Sequence, residues 1–350
     1  MDHKGVEYLK IAQILPEFHE GGVERHVLWL SNALAGLGHE VTVISAGGKL
    51  EDKLDRRVAF WRLPVQRKNP ITGLYSALKI AGRAKRQQWD ILHAHSRVPA
   101  WIAWWASGFC GQPWVATAHA QYSLNVGLVP YRKANGVICV SRSVREHLGS
   151  FLPEKSEVIP NGTPPARRKW EGKGFPENPR FLFVGRLTRL KGLDVVTEAL
   201  SSLGDREWAL DVVGDGPQRQ ELEAKVKRKG FEERIKFHGF REDVEDWMAE
   251  AGCLLFPSLE EGMPLVFMQA IQVGVPVLAS DIGPVRELVG DNAGLLPPGD
   301  VETWTRFLSE IFGNKFSPPV FDPVSVPTDH EMALSANVFY RDILDSLITK

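Results

Sequence analysis

The sequence predicts an α/β protein made of two doubly wound parallel sheets, and three observations carry that prediction. Short apolar runs of strand length alternate with segments whose apolar residues recur at helical spacing. A stretch rich in Pro, Gly and charge, residues 161–179, has no apolar period and interrupts the alternation, which then restarts. At 350 residues the chain is longer than one core usually holds, so two domains are expected.

Residues 9–15 read as the first strand, and after Gly21-Gly22 the residues Val23, Val27, Leu30, Leu34 and Leu37 give the first helix. Val41-Thr42-Val43-Ile44 is a second strand. Further strands are expected at 90–94, 114–117 and 136–140, with helical patterns between several of them. Beyond the linker come strand 181–184, helix 192–203, strand 208–213, helix 218–229, strand 235–238, helix 242–250 and the apolar strand Cys253-Leu254-Leu255-Phe256. A helix over 265–273, a strand over 275–279, a proline-rich stretch over 318–327 and an amphipathic helix over 330–348 follow. Domains are therefore expected over 1–165 and 166–325, two sheets facing a cleft, with 326–350 a C-terminal helix crossing back to the first domain. Residues 64–75 and 119–132 read as variable loops of that domain.

Composition is that of a soluble globular protein, 43% hydrophobic and 24% charged. Cys110, Cys139 and Cys253 are scattered without metal-ligand spacing and read as buried thiols of a reducing compartment. The first residues lack a signal-peptide core and no apolar run is long enough to span a bilayer, so a cytoplasmic location is expected. Charge is uneven along the chain. Residues 1–160 hold 20 Lys and Arg against 13 Asp and Glu, the remainder 22 against 30. Such a basic half suits an anionic membrane surface or a phosphorylated acceptor, although solvated faces that merely differ would give the same count.

The segment from Pro257 to Ala270 carries the most chemistry. It places Glu261 where a strand hands over to a helix, among free amides that favour an anion. An acid in a phosphate-binding loop makes sense if it holds a hydroxylated group attached to the phosphate, such as a sugar. A second loop, Gly185-Arg186-Leu187-Thr188-Arg189-Leu190-Lys191-Gly192, follows the first strand of the second domain and offers a bidentate guanidinium and a point charge. Its plainer reading is a basic surface loop.

Taken in order, Gly21-Gly22-Val23-Glu24-Arg25, Pro160-Asn161-Gly162, the 185–192 loop, Gly214-Asp215-Gly216-Pro217, the 257–270 segment and Gly274-Val275-Pro276-Val277 resemble the retaining glycosyltransferases of family four. These group 1 enzymes have the GT-B fold of two Rossmann-like domains. The resemblance covers nearly the whole chain. Residues 92–101 look most like bacterial members that build lipopolysaccharide, O-antigen or exopolysaccharide.

That resemblance implies transfer of a sugar, with retention, from a UDP- or GDP-linked donor to a glycan or lipid-linked acceptor. The nucleotide sugar is a substrate, so no cofactor is implied, and no nucleic acid partner. The inner face of the membrane is an implied contact for the basic first domain. Arg186 and Lys191 match the pair that grips the diphosphate. The chain has no Asp-x-Asp, so fixed cations rather than a metal are expected to stabilise the leaving group. Glu261 matches the carboxylate on a donor-sugar hydroxyl, and the backbone at Gly262, Met263, Leu265 and Val266 is placed around sugar and phosphates, Pro264 having no amide to give. Gln269 stands where the family has its second glutamate, on the ribose, and an uncharged amide there forgoes the stronger charge-assisted bond.

His119 matches the histidine near the reacting side of the donor sugar; alone it would read as a satisfied hydrogen-bonding residue. Gly21 and Gly22 are expected to let amides approach a phosphate or the acceptor, against the reading of a plain turn. Phe240 and Arg241 lie where the nucleobase pocket is expected. His93 and His95 are read as facing opposite sides of their strand, which would deny them a common metal. Trp101, Trp104, Trp105 and Phe109 wrap around a helix, either as core or as a membrane or lipid-acceptor face. Alternative functions are a nucleotide-sugar epimerase on the same fold and a noncatalytic carbohydrate-binding relative.

Overall fold

The structure, a computed structural model, describes residues 8–172, 179–204 and 206–348, so 173–178 of the expected linker lie outside the described residues. The chain divides into two compact units, Met1–Pro164 with Pro327–Lys350, and Pro165–Val326.

In the first unit the elements are β1 (Lys10–Ile14), α1 (Gly22–Gly36), β2 (Glu40–Ser45), β3 (Ala59–Arg62), α2 (Pro70–Gln87), β4 (Ile91–His95), α3 (Arg97–Cys110), β5 (Trp114–Ala118), β6 (Gly136–Cys139), α4 (Arg142–Leu148) and β7 (Ser156–Val158). The strands form one parallel sheet in the order β3-β2-β1-β4-β5-β6-β7. Its central strands are buried on both faces, which is why they read as nearly continuous apolar runs.

The second unit holds β8 (Arg180–Val184), α5 (Leu193–Ser201), β9 (Ala209–Val213), α6 (Arg219–Arg228), β10 (Ile235–Gly239), α7 (Val244–Glu250), β11 (Cys253–Phe256), α8 (Leu265–Val273), β12 (Val277–Ser280), α9 (Gly283–Val289), β13 (Leu295–Leu296) and α10 (Val301–Phe312). Its parallel sheet runs β10-β9-β8-β11-β12-β13. Both sheets thus reverse direction once, between β1 and β4 in the first and between β8 and β11 in the second. At such switch points two loops diverge from the carboxyl ends of neighbouring strands and leave a crevice for ligand.

The final helix α11 (Asp329–Ile348) buries Met332, Ala336, Phe339, Tyr340 and Ile343 in the first unit's core, beside Ile11, Val43 and Ile138. Among the described residues no helix is long and apolar enough to cross a membrane.

Three sequence expectations change. Residues 70–75 are the first turns of α2 rather than loop, because Asn69 caps that helix, its side chain accepting from the Ile71 amide at 2.9 Å, with Pro70 pre-set at the first helical position. Cys110 is half-buried, whereas Cys139 and Cys253 are buried; all three are free thiols, and burial pushes the Cys139 thiol up to about 12. The tryptophans of α3 are neither core nor fully outside: Trp101, Trp104 and Trp105 are half-buried and in mutual contact, and Phe109 is exposed.

Candidate functional site

In the second unit, three loops at the carboxyl ends of β8, β9 and β11 are locked to one another through backbone. Gly185 and Leu187 donate to Val213 and Asp215, Gln218 donates back to Leu187, and Leu259 donates to Leu190 at 2.8 Å. Gly192 makes the last junction possible. It adopts φ +64°, and a Cβ there would stand 2.1 Å from the Pro257 carbonyl oxygen. Gly192→Ala is therefore expected to cost the second unit roughly 3 kcal/mol from backbone strain and overlap together. Denaturant unfolding checks this, and a midpoint equal to that of the unchanged protein would contradict it.

Through this junction Lys191 reaches Glu261. Lys191 Nζ donates to Glu261 Oε1 at 2.5 Å, and Ser258 Oγ donates to the same oxygen at 2.8 Å. The lysine side chain is 29% exposed and the glutamate 10%, so the acid is fixed and the cation remains reachable from solvent. Arg186, five residues before, is exposed and enters no ion pair with any described residue. Beside them α8 begins at Leu265, whose amide and that of Val266 have no partner inside the helix. Gly262 and Met263 are buried in the turn before it, and Gln269 sits half-buried in the second turn. One cation, one anchored acid and a helix N-terminus meet at the switch point, and Arg186 stands on the same loop as Lys191. This set can hold a diphosphate and a hydroxyl of whatever the diphosphate carries.

Phe240 and Arg241 follow β10, two strands from β8, where Gly214 donates to the Gly239 carbonyl. Phe240 is 39% exposed. Arg241 spends its guanidinium on Asp243 through bonds of 2.9 and 2.6 Å, so it is less available than Arg186.

In the first unit, Gly21 caps α1 in ordinary extended backbone and Gly22 opens the helix. The conformation does not itself demand glycine at 21. The nearest atom to an added Cβ would be the end of the flexible Glu24 side chain, which folds over the helix start. His119 follows β5 and belongs to a larger set that the sequence reading missed. His93 and His95 lie on the same face, ring centroids 4.2 Å apart, because residues i and i+2 of a strand share a face. The opposite-face expectation is corrected, and with it the reason given against a metal.

The hydrogen bonds of this set link it into one chain. His119 Nε2 donates to His95 Nδ1 at 3.0 Å, and His95 Nε2 donates to Gln13 Oε1 at 2.6 Å. Gln13 Nε2 donates to the Tyr340 hydroxyl at 3.3 Å, and that hydroxyl shares a hydrogen bond of 2.7 Å with His93 Nδ1. His93 Nε2 closes the chain on Thr117 Oγ1 at 2.7 Å. Gln13 Oε1 can only accept, so it fixes the tautomer of neutral His95 and, through that ring, of His119, which leaves Nδ1 of His119 as its bare acceptor. His26 stands beside the chain, Nδ1 donating to Asn161 Oδ1 at 2.7 Å, while its buried Nε2 has no partner among the described residues. Burial holds all four rings neutral: His26 is lowered to about 4, and His93, His95 and His119 fall well below the usual histidine range.

Among the described residues, His26, His95 and His119 offer ligand nitrogens within 4.8 Å of one another and are the set that could hold a metal ion. An ion there would have to displace the proton between His95 and His119. The chain is therefore read as a hydrogen-bonded frame for His119. Ser96, between His95 and α3 at the first switch point, holds φ +77°, a strained value that marks the crevice. Gln13 and His26 carry no motif, and the register of β1, β4 and β5 is what brings the first-unit set together.

The family model described as Glycosyltransferase Family 4 matches residues 20–167, and that described as Glycosyl transferases group 1 matches 178–314. An uncharacterized glycosyltransferase of Methanocaldococcus jannaschii is 27% identical over 80% of this chain and 83% of its own. A putative teichuronic acid biosynthesis glycosyltransferase, TuaC of Bacillus subtilis, is 30% identical over 59% of this chain and 57% of its own. Among solved structures, Anabaena HepE in complex with UDP and glucose superposes with a TM-score of 0.75 at 21% identity, covering 98% of this chain and all 100% of that one. WaaG, a glycosyltransferase involved in lipopolysaccharide biosynthesis, gives 0.67 at 18%, covering 96% and 95%. At these identities the two structures speak to the fold. Taken with the family matches, they mean that this chain is a glycosyltransferase of family four, and its two parallel-sheet units are the GT-B fold.

Proposed function

We propose that the enzyme transfers a sugar from UDP to a glycan or lipid-linked acceptor of a bacterial surface polysaccharide, with retention at the anomeric carbon. The observation that carries this is the Lys191–Glu261–Ser258 constellation at the second switch point, with Arg186 exposed on the same loop as Lys191 and in no ion pair with any described residue. Arg186 and Lys191 neutralise the charge that grows on the departing diphosphate, aided by the amides that open α8. Glu261, steadied by Ser258, accepts from a sugar hydroxyl once Lys191 turns to phosphate. His119 orients the sugar through its bare Nδ1, a neutral acceptor. In this reading the departing phosphate oxygen takes the acceptor's proton, so no side chain need act as general base. The Anabaena neighbour's UDP and glucose favour uridine, and the teichuronic acid and lipopolysaccharide relatives favour a surface glycan. The basic first half is the part that would meet an anionic membrane, where lipid-linked acceptors reside.

UDP should raise the unfolding temperature where GDP does not. A ligand at a hundredfold excess over its Kd adds about 2.7 kcal/mol to apparent stability. A thermal-shift series with UDP, GDP and TDP tests this. No shift with any of them would overturn the donor site, and a shift with GDP alone would overturn the choice of base.

A further inference from the structure

Helix α2 buries one face and leaves an apolar stripe on the other. Gly73, Ser76, Ala77, Ile80, Ala81 and Ala84 face inward. Ile71, Leu74, Tyr75 and Leu78 recur at i, i+3, i+4 and i+7 and are 81, 44, 51 and 52% exposed. The small residues of the inner face let α2 lie close on α3: Trp105 stands 3.1 Å from where a Cβ of Gly73 would sit. The half-buried tryptophan cluster therefore borders the helix that carries the stripe. Around the stripe Arg67, Lys68, Lys79, Lys85 and Arg86 are exposed, and α2 contains no Asp or Glu. Monomeric proteins seldom leave such a stripe without a use.

We infer that this exposed face of α2, with the tryptophan edge of α3 beside it, seats on a bilayer surface rich in anionic phospholipid. The chemistry fits such a surface on three counts. Apolar side chains at helical spacing enter the boundary between headgroups and acyl chains, while flanking cations stay at the level of lipid phosphate. Tryptophan and tyrosine favour that same interface. The all-basic polar face needs an anionic counterpart, and lipid supplies one. A second copy of the chain does not, because a twofold contact through this face would set its lysines and arginines against their own copies with no carboxylate on the helix to pair them. This gives the membrane reading of the first unit a definite surface, and it does not depend on the transfer chemistry.

The test is flotation of the full chain with phosphatidylcholine vesicles, with or without phosphatidylglycerol, at low and high salt. Binding is expected to anionic vesicles only and to weaken with salt. Ile71→Ser, Leu74→Ser and Leu78→Ser together should weaken it by at least roughly tenfold. Lys85→Glu with Arg86→Glu should cost roughly fivefold per residue or more. All these side chains are exposed, so unfolding temperature and the UDP shift should stay unchanged, which separates this result from any failure at the donor site. The inference is overturned if the chain ignores anionic vesicles, binds neutral ones equally, or binds unchanged after both sets of substitutions. It is overturned equally if sedimentation without lipid shows a dimer that the serine variant dissolves.

Discussion

Lys191→Ala is expected to lower kcat/KM for UDP release from the nucleotide sugar by about 10²–10³, the usual loss when a fixed electrostatic group is removed from a developing charge. The geometry adds a second consequence. Lys191 holds Glu261, whose side chain is only 10% exposed. Removing the lysine leaves the carboxylate with Ser258 as its remaining side-chain partner, next to where a diphosphate would bind, so repulsion adds to lost attraction. The two residues should therefore be strongly non-additive. Glu261→Gln in the Lys191→Ala background should recover part of the UDP affinity, because it removes the uncompensated charge. It should not recover transfer, because the amide cannot match a carboxylate's grip on the sugar hydroxyl. Titrations of UDP and turnover for the two single variants and the double variant check both statements. Turnover within tenfold of the parent for Lys191→Ala, or strict additivity of UDP affinities, would remove Lys191 from the site.

That pairing shows where sequence reading stops. The strands of both sheets were legible because buried parallel strands are short apolar blocks, and Arg186, Lys191 and Glu261 because each lies between such a block and a helix. The contact of Lys191 with Glu261 spans 70 residues and depends on Gly192 fitting under Pro257, which no local pattern encodes. Helix α2 was misread at its start for a related reason. Asn69-Pro70 followed by Gly73 has the composition of a turn, and a helix N-cap uses the same chemistry, a side-chain oxygen on a free amide and a proline with preset φ. What decided the matter was packing, since the small inner face of α2 fits against Trp105. The histidine frame was hidden more deeply. It is assembled by Gln13 pairing with His93 across β1 and β4, by His95 pairing with Thr117 across β4 and β5, and by Tyr340 arriving from α11.

The same frame should make the first unit sensitive to mild acid. His26, His93, His95 and His119 have folded pKa values below the ordinary 6.5, because burial penalises the charged ring. The unfolded chain then binds more protons than the folded one as pH falls below 6.5, so stability is fully present above that pH and is lost on acidification toward about 4, where His26 itself titrates. Each ring left neutral at pH 5.5 costs about 1.4 kcal/mol relative to the unfolded chain, and four give on the order of 5 kcal/mol. That is a large fraction of the roughly 5–15 kcal/mol that holds a domain together. Geometry points the same way, since a proton on His95 Nδ1 would face the N–H of His119. Carboxylates with lowered pKa values lose their contribution only below about 4, so the interval from pH 7.5 to 5.5 isolates the histidines. Unfolding of the first unit should shift strongly across that interval. His26→Leu should lower stability at pH 7.5, because Asn161 Oδ1 loses its donor, yet should shrink the difference between the two pH values by about 1.4 kcal/mol. A first-unit transition that does not move between pH 7.5 and 5.5 would mean that the rings are protonated in the folded protein, and the Gln13–His95–His119 bonds that fix the His119 tautomer could not then exist.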